Sequence, residues 1–144
     1  MITASTIMAK RIYWEDSEQR ALIQWADLTP MPAGLAFYRG AKIGHYLFAI
    51  PNGGARNKIE ASRLVGLGVR AGVSDLFFSF PSPGVPQHHG LYIEMKAAPP
   101  HDAPVTGKQH LFLQRALTAG YQAVVCKGWD AARGAIHLYL KADL

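Results

Sequence analysis

Residues 90–96, which read GLYIEMK, are the stretch that most constrains the fold. Side chains of an extended chain point alternately to opposite faces, so the three aliphatic residues share one face, while Tyr92, Glu94 and Lys96 share the other. An edge strand would present this acid and base to solvent. A central strand would bury both charges and need a compensating partner such as a metal ion. The strand alone leaves both arrangements open.

Length and composition predict one soluble domain. The 144 residues, 49% of them hydrophobic, suffice for a single domain over residues 1–144. Cys126 is the only cysteine, which excludes an internal disulfide. Its position in the apolar run AVVC predicts a buried thiol. No apolar run approaches the roughly 18–20 residues that span a bilayer, and no signal peptide is recognisable, so we expect a cytoplasmic protein without a membrane partner.

The charge of the chain favours a polyanionic partner. Fifteen Lys and Arg residues face ten Asp and Glu residues, for a net charge of +5 and a pI near 9.5. Six of the basic residues lie between residues 28 and 74, where Glu60 is the only acid. The block could bind phosphates, or could consist of ordinary solvated side chains. Its members are Arg39, Lys42, Arg56, Lys58, Arg63 and Arg70.

Hydrophobic periodicity and capping signals predict alternating helices and strands. Capping boxes are expected at Asp16 with Gln19 and at Thr106 with Gln109. A strand at residues 136–140 is the alternative to the last helix. The predicted elements are helices at residues 17–28, 55–67, 107–120 and 129–140 and strands at residues 45–50, 74–80, 90–96 and 121–127. This order predicts an α/β fold in which helices cover a mixed sheet.

Two carboxylates and one lysine are expected to converge on this sheet. Asp75 begins one predicted strand and Glu94 lies in the next, so a hairpin pairing would bring the two close together, with Lys96 on the same face. Carboxylate oxygens suit Mg²⁺ or Mn²⁺, hard ions that also bind phosphate oxygens. A surface cross-strand cluster without chemistry is the alternative.

Four motifs in order extend this pattern. They are IPNGGAR at residues 50–56, VRAGVSD at residues 69–75, IEMK at residues 93–96, and Gln109 in the following helix. Together they resemble the VRR-NUC family of the PD-(D/E)xK nuclease superfamily over residues 45–126. E-x-K alone is common, but four matches in order are specific. Ser74 replaces the proline of the superfamily's name, which affects only the local backbone.

The resemblance implies a restriction-endonuclease-like mixed sheet flanked by helices, and it implies roles for the site residues. Asp75, Glu94 and the backbone carbonyl of Met95 would hold the metal, and Lys96 would position the attacking water. Gln109 is similar to the family's supporting glutamine. Since it also completes a capping box with Thr106, either role or both are open.

Glu18 resembles the acidic residue of the family's first helix, and helical spacing turns it inward. The alternative is an acid that interacts favourably with the helix dipole in a first turn. We assign Glu18 to the catalytic residues, with Lys96 and Gln109.

DNA contacts are expected around the PNGG turn and in the basic block. Exposed backbone N–H groups of the turn could approach a phosphate, although a plain turn is the simpler interpretation. The expected contacts are Arg56 and Arg70 first, then Lys58, Asn52 and Gly53.

The resemblance implies a Mg²⁺-dependent, structure-specific DNA endonuclease, with Mn²⁺ as a substitute. Stand-alone family members act on branched DNA, which predicts a homodimeric four-way (Holliday) junction resolvase. The alternatives are a flap or general nuclease, a non-catalytic nucleic-acid-binding module with the same fold, and a metal-stabilised structural domain.

Overall fold

Alternating segments of the chain build one mixed β-sheet with helices around it. The computed structural model describes residues 1–36, 38–51, 57–142 and 144. Within those ranges the strands are β1 (Leu47–Ala49), β2 (Leu76–Phe78), β3 (Leu91–Lys96) and β4 (Gln122–Lys127). The α-helices are α1 (Ala4–Leu28), α2 (Lys58–Gly66), α3 (Gly107–Thr118) and α4 (Trp129–Leu140), and a short 3₁₀ helix spans Ile43–His45.

The strand order places the GLYIEMK stretch inside the sheet. The strands run β1-β2-β3-β4, with antiparallel pairing from β1 to β3 and parallel pairing between β3 and β4. Glu94 is 2% exposed and Lys96 is 4% exposed. The central arrangement is therefore the correct one, and a surface cross-strand cluster is excluded. The predicted α/β class with a mixed sheet is confirmed.

The two faces of β3 are covered by different helices. Leu91, Ile93 and Met95 are buried in one hydrophobic cluster that also holds side chains of α1 and α4, among them Leu22 and Ile136. The opposite face carries an aromatic group in which the ring of Tyr92 lies 5.0 Å from Phe112 of α3 and 4.5 Å from Phe77 of β2. The charged pair of β3 therefore lies on the α3 side of the sheet.

Local sequence signals located the second half of the chain well. The capping box of α3 forms as predicted, since Thr106 Oγ1 accepts from the Gln109 N–H at 3.2 Å. The last element is the predicted helix, not the alternative strand, and its bounds are those expected from apolar spacing. Cys126 is 3% exposed, as expected for a buried thiol.

The predicted start of α1 is wrong by thirteen residues. The helix begins at Ala4 with Thr3 as its N-cap, not at residue 17, so Asp16 is an interior residue. Residues 4–16 contain no Gly or Pro to end a helix. Their apolar side chains form no single stripe, so periodicity gave no signal there. The predicted start of α2, at Ala55, lies outside the described residues.

The described helices do not include a membrane span. Among the residues of the described ranges, no helix combines the length and the apolar character needed to cross a bilayer.

Candidate active site

The strand register brings Asp75 and Glu94 together. Leu76 of β2 pairs with Ile93 of β3, so the same antiparallel register continued by one residue places Asp75 opposite Glu94. The Asp75 backbone is held from the other side, because its carbonyl accepts the Ile50 N–H at 2.8 Å. Its carboxylate Oδ2 accepts the Met95 N–H at 2.7 Å. Asp75 therefore lies beside β3 with its carboxylate close to Glu94.

Gln109 connects the two charged side chains of β3. The Lys96 Nζ lies 3.6 Å from Glu94 Oε1 and donates to Gln109 Oε1 at 3.2 Å. The same Gln109 oxygen accepts the Thr106 N–H at 2.9 Å, while Gln109 Nε2 donates to Glu94 Oε1. Only one orientation of the amide allows all three bonds, since the oxygen faces two donors and the nitrogen faces a carboxylate. Gln109 therefore both completes the capping box and orients the site.

Burial makes both carboxylates weak acids. Burial and the neighbouring Asp75 raise the pKa of Glu94 to about 8, although Lys96 acts in the opposite direction. Burial also raises the pKa of Asp75, partly offset by the Met95 N–H and by Lys96. A single lysine does not compensate a buried and a half-buried carboxylate that lie together. Such a pair is stabilised in its ionised form by a further positive charge.

Glu15 is the acidic residue of α1 that interacts with this pair. It is half-buried, and burial raises its pKa, while Lys96 lowers that pKa and Asp75 raises it. The effect is mutual, because Glu15 also raises the pKa of Glu94. The sequence reasoning missed Glu15 because it started α1 at residue 17. An acid three residues before Glu18 in an uninterrupted helix would have been the signal.

Glu18 has a different contact from the one expected. Its Oε2 accepts the N–H of Trp129, the first residue of α4, at 2.7 Å. The N-cap of α4 is Gly128, which has no side chain to satisfy that N–H. Glu18 therefore points inward as predicted, but it caps α4 and stabilises its N-terminus. The acid of α1 whose charge interacts with the carboxylate pair is Glu15.

The donor set fits a hard divalent cation. Glu94 Oε2 is buried without any hydrogen-bond partner, and an oxygen of this kind is costly unless a cation or another donor faces it. Within the described residues, no three His, Cys, Asp or Glu side chains are grouped closely enough to hold a metal by themselves. The remaining ligands would be backbone carbonyls, water and phosphate oxygens. That mixture is characteristic of Mg²⁺, with Mn²⁺ as a close substitute.

A glycine holds the Asp75 segment against α3. Gly72 has φ +86°, and a Cβ at this position would lie 2.6 Å from the backbone carbonyl carbon of Lys108. The VRAGVSD turn can therefore lie directly on the first turn of α3, which carries Gln109. This contact fixes the distance between the turn that precedes Asp75 and the helix that carries Gln109.

Two of the five predicted DNA-contact residues, Lys58 and Arg70, lie in the described part of the chain. Arg70 Nη1 donates to the carbonyl of Val65 at 2.9 Å, which ties the turn to the C-terminus of α2. Lys58 is exposed in the first turn of α2. The predictions for Asn52, Gly53 and Arg56 lie outside the described residues. All five assignments stay predictions.

Comparison with known proteins supports the same fold. A scan with models of protein families gave no match, and neither did a comparison with curated protein sequences. A solved structure named "VRR_NUC domain protein" superposes with a TM-score of 0.68 and 27% sequence identity. The alignment covers 88% of each chain, which is a longer stretch than residues 45–126, where the motifs were recognised.

Proposed function

Because the chain belongs to the VRR-NUC family of nucleases, we propose that it is a metal-dependent endonuclease that hydrolyses phosphodiester bonds in DNA. One observation carries the proposal: the buried Glu94, with a partnerless carboxylate oxygen, lies beside the half-buried Asp75 and next to Lys96. A non-catalytic binding module would have no use for this costly arrangement.

Asp75 and Glu94 would hold the cation, with Mg²⁺ as the expected ion and the Met95 carbonyl as a further ligand. When bound, the cation would supply Lewis-acid stabilisation of a phosphate oxygen and lower the pKa of a water molecule. The Met95 N–H orients the Asp75 carboxylate toward Glu94, because it holds Oδ2 from the side of β3. Glu15 would add negative charge on the α1 side of the site.

Lys96 is held beside Glu94 and would stabilise charge in the reaction. Its contacts with Gln109 Oε1 and Glu94 Oε1 use two of the three N–H bonds, which leaves one to donate to water or to a phosphate oxygen. In the reaction, a water oxygen attacks phosphorus and the bond to the 3′ oxygen breaks. A proton passes to the 3′ oxygen, and the products carry a 5′-phosphate and a 3′-hydroxyl. Lys96 stabilises the negative charge that develops on the phosphoryl oxygens.

Branched DNA is the substrate class that we propose, with a four-way junction first. A junction resolvase cuts two strands, and a two-fold homodimer would present two sites to them. Met8 and Ile12 lie one helical turn apart on α1 and are 65% and 53% exposed, which supports a dimer contact through this face. Light scattering is expected to give twice the 15.7 kDa of one chain. A monomer mass at micromolar concentration contradicts the dimer but leaves the nuclease proposal standing.

The function is tested on labelled linear, flap and four-way DNA, with Mg²⁺ or with EDTA. We expect Mg²⁺-dependent cleavage that Asp75→Asn abolishes without loss of DNA binding. Asp27→Asn is the matched control, because Asp27 is an exposed aspartate twelve residues along α1 from Glu15, about 18 Å away. Retention of cleavage by Asp75→Asn contradicts the assigned site, and a shifted band without cleavage by the unaltered protein indicates a binding module.

A further inference from the structure

The N-terminal half of α1 carries a stack of aromatic rings beside an apolar groove. The rings of Trp14 and His101 lie 4.4 Å apart and within 7° of parallel, and the Tyr13 ring meets Trp14 edge-on at 5.6 Å. Tyr13 is 66% exposed and Trp14 is 39% exposed. The stack is therefore built into the structure, yet much of its ring surface faces solvent. Nothing in the reaction described above uses it.

One side of the stack adjoins the carboxylates through α1. Trp14 immediately precedes Glu15, whose charge interacts with Asp75 and Lys96. Both side chains project from the same turn of a continuous helix. A molecule that lies on Trp14 therefore lies on the helical turn that carries Glu15.

The other side of the stack adjoins the site through the loop after β3. His101 precedes Asp102, whose Oδ2 lies 2.7 Å from Lys127 Nζ. Lys127 is the register partner of Lys96 in the parallel β3–β4 pair, so the two lysines share a face of the sheet. The stack is thus connected to the site by two paths, through Glu15 on α1 and through Asp102 and Lys127 to the strand that carries Lys96.

The charged side chains that line the groove are both basic. Lys10 and Arg11 line it together with apolar side chains such as Ile7 and Pro100, and its volume is about 650 Å³. The segment of residues 1–14 contains no Asp or Glu. Flat aromatic surface with adjacent cations is the combination that binds single-stranded nucleic acid, by base stacking and phosphate pairing. An apolar protein segment could pack against the apolar side chains of the groove, but it would have no favourable interaction with the charges of Lys10 and Arg11.

We propose that this groove binds unpaired nucleobases of the DNA strand that enters the site. A base stacks against the exposed ring surface of Tyr13 and Trp14, and Lys10 and Arg11 pair with the flanking phosphates. The inference rests on the proposed nuclease function and adds to it a substrate feature: an unpaired segment next to the cleaved bond. Branch points and strand ends supply such a segment, whereas continuous duplex does not.

Binding in EDTA tests this proposal without any cleavage. Fluorescence anisotropy is measured with a labelled single-stranded deoxythymidine oligonucleotide, the same oligonucleotide with abasic positions, and a duplex of equal length. Trp14→Ala is expected to weaken single-strand binding about tenfold or more, the effect of losing one stacked base. Trp14→Phe restores most of the affinity. Duplex binding stays the same, and abasic positions weaken the unaltered protein but hardly affect Trp14→Ala.

Two further variants keep the test decisive. His101→Ala removes the ring behind Trp14 and is expected to weaken single-strand binding in the same direction, should Trp14→Ala fail to fold. Leu138→Ala is the matched control, because Leu138 is an apolar side chain that is 81% exposed and is not among the residues that line the groove.

Equal single-strand affinity of the unaltered protein, Trp14→Ala and His101→Ala overturns the proposal. If the unaltered protein binds single strands through Trp14 but cleaves nothing with Mg²⁺, the nuclease proposal fails and the stacking surface stands. If it cleaves DNA and binds single strands equally with and without the Trp14 ring, only the stacking surface fails.

Discussion

At the scale of single residues, the Gln109 amide links the stability of a helix to the chemistry of the site. Its oxygen accepts from Thr106 N–H and Lys96 Nζ, and its nitrogen donates to Glu94. The first bond belongs to the capping box of α3, and the other two fix the charged pair. Comparison with Thr106 separates the two functions, because Thr106 Oγ1 contributes only to the cap.

Gln109→Ala is expected to lower both stability and cleavage, whereas Thr106→Ala lowers stability alone. Loss of either half of the capping box costs about 0.5–2 kcal/mol in the free energy of unfolding. Gln109→Ala in addition frees Lys96 and leaves Glu94 Oε1 without its amide donor, so its cleavage rate falls at least tenfold. Urea denaturation and initial cleavage rates measure the two effects. Equal cleavage by the two variants would show that Gln109 acts only as a cap.

The sequence predicted which residues meet but not how deeply they are buried. The alternation in GLYIEMK and the position of Asp75 were sufficient to bring the two carboxylates and Lys96 together. Their burial depends on β4, which pairs with β3 although 25 residues separate the two strands. A local pattern carries no information about such a distant partner, so the edge and central arrangements could not be distinguished.

At the scale of elements, α1 contributes side chains to three different parts of the molecule. Its last turns pack Leu22 and Ala26 into the core, its middle turns direct Glu15 and Glu18 to different partners, and its first turns carry the aromatic stack. The core-facing turns follow helical spacing and were predicted. The exposed first turns have no buried face, so neither their helical structure nor the role of Glu15 could be read from periodicity.

Paired substitutions in α1 test whether Glu15 or Glu18 acts in the site. Glu15→Gln is expected to reduce Mg²⁺-dependent cleavage at least tenfold, with little loss of stability. Glu18→Gln weakens the capping of the Trp129 N–H and the favourable charge at the α4 N-terminus, which costs about 0.5–1 kcal/mol, and it leaves cleavage nearly unchanged. Thermal unfolding and cleavage rates are measured for both. The reverse pattern would return the catalytic assignment to Glu18.

At the scale of the whole molecule, the mixed sheet brings Asp75 and Glu94 together in an arrangement that costs folding stability. The antiparallel strands β1 to β3 align Asp75 with Glu94, and the parallel strand β4 seals β3 on its other side. This order makes Glu94 and Lys96 interior residues of the sheet, covered by α3. A fold selected for stability alone gains more from apolar residues at such positions, so their retention points to a bound cation.

Calorimetric titration of Mn²⁺ into the metal-free protein tests this central claim most directly. We expect binding that Asp75→Asn and Glu94→Gln each weaken at least tenfold. The Glu94 pKa of about 8 means that this carboxyl is largely protonated at pH 7, and the cation needs it ionised. Binding should therefore release protons at pH 7 and fewer at pH 9, measured from the heats in two buffers of different ionisation enthalpy. Absence of Mn²⁺ binding, or equal affinity of the unaltered protein and Asp75→Asn, would contradict the account.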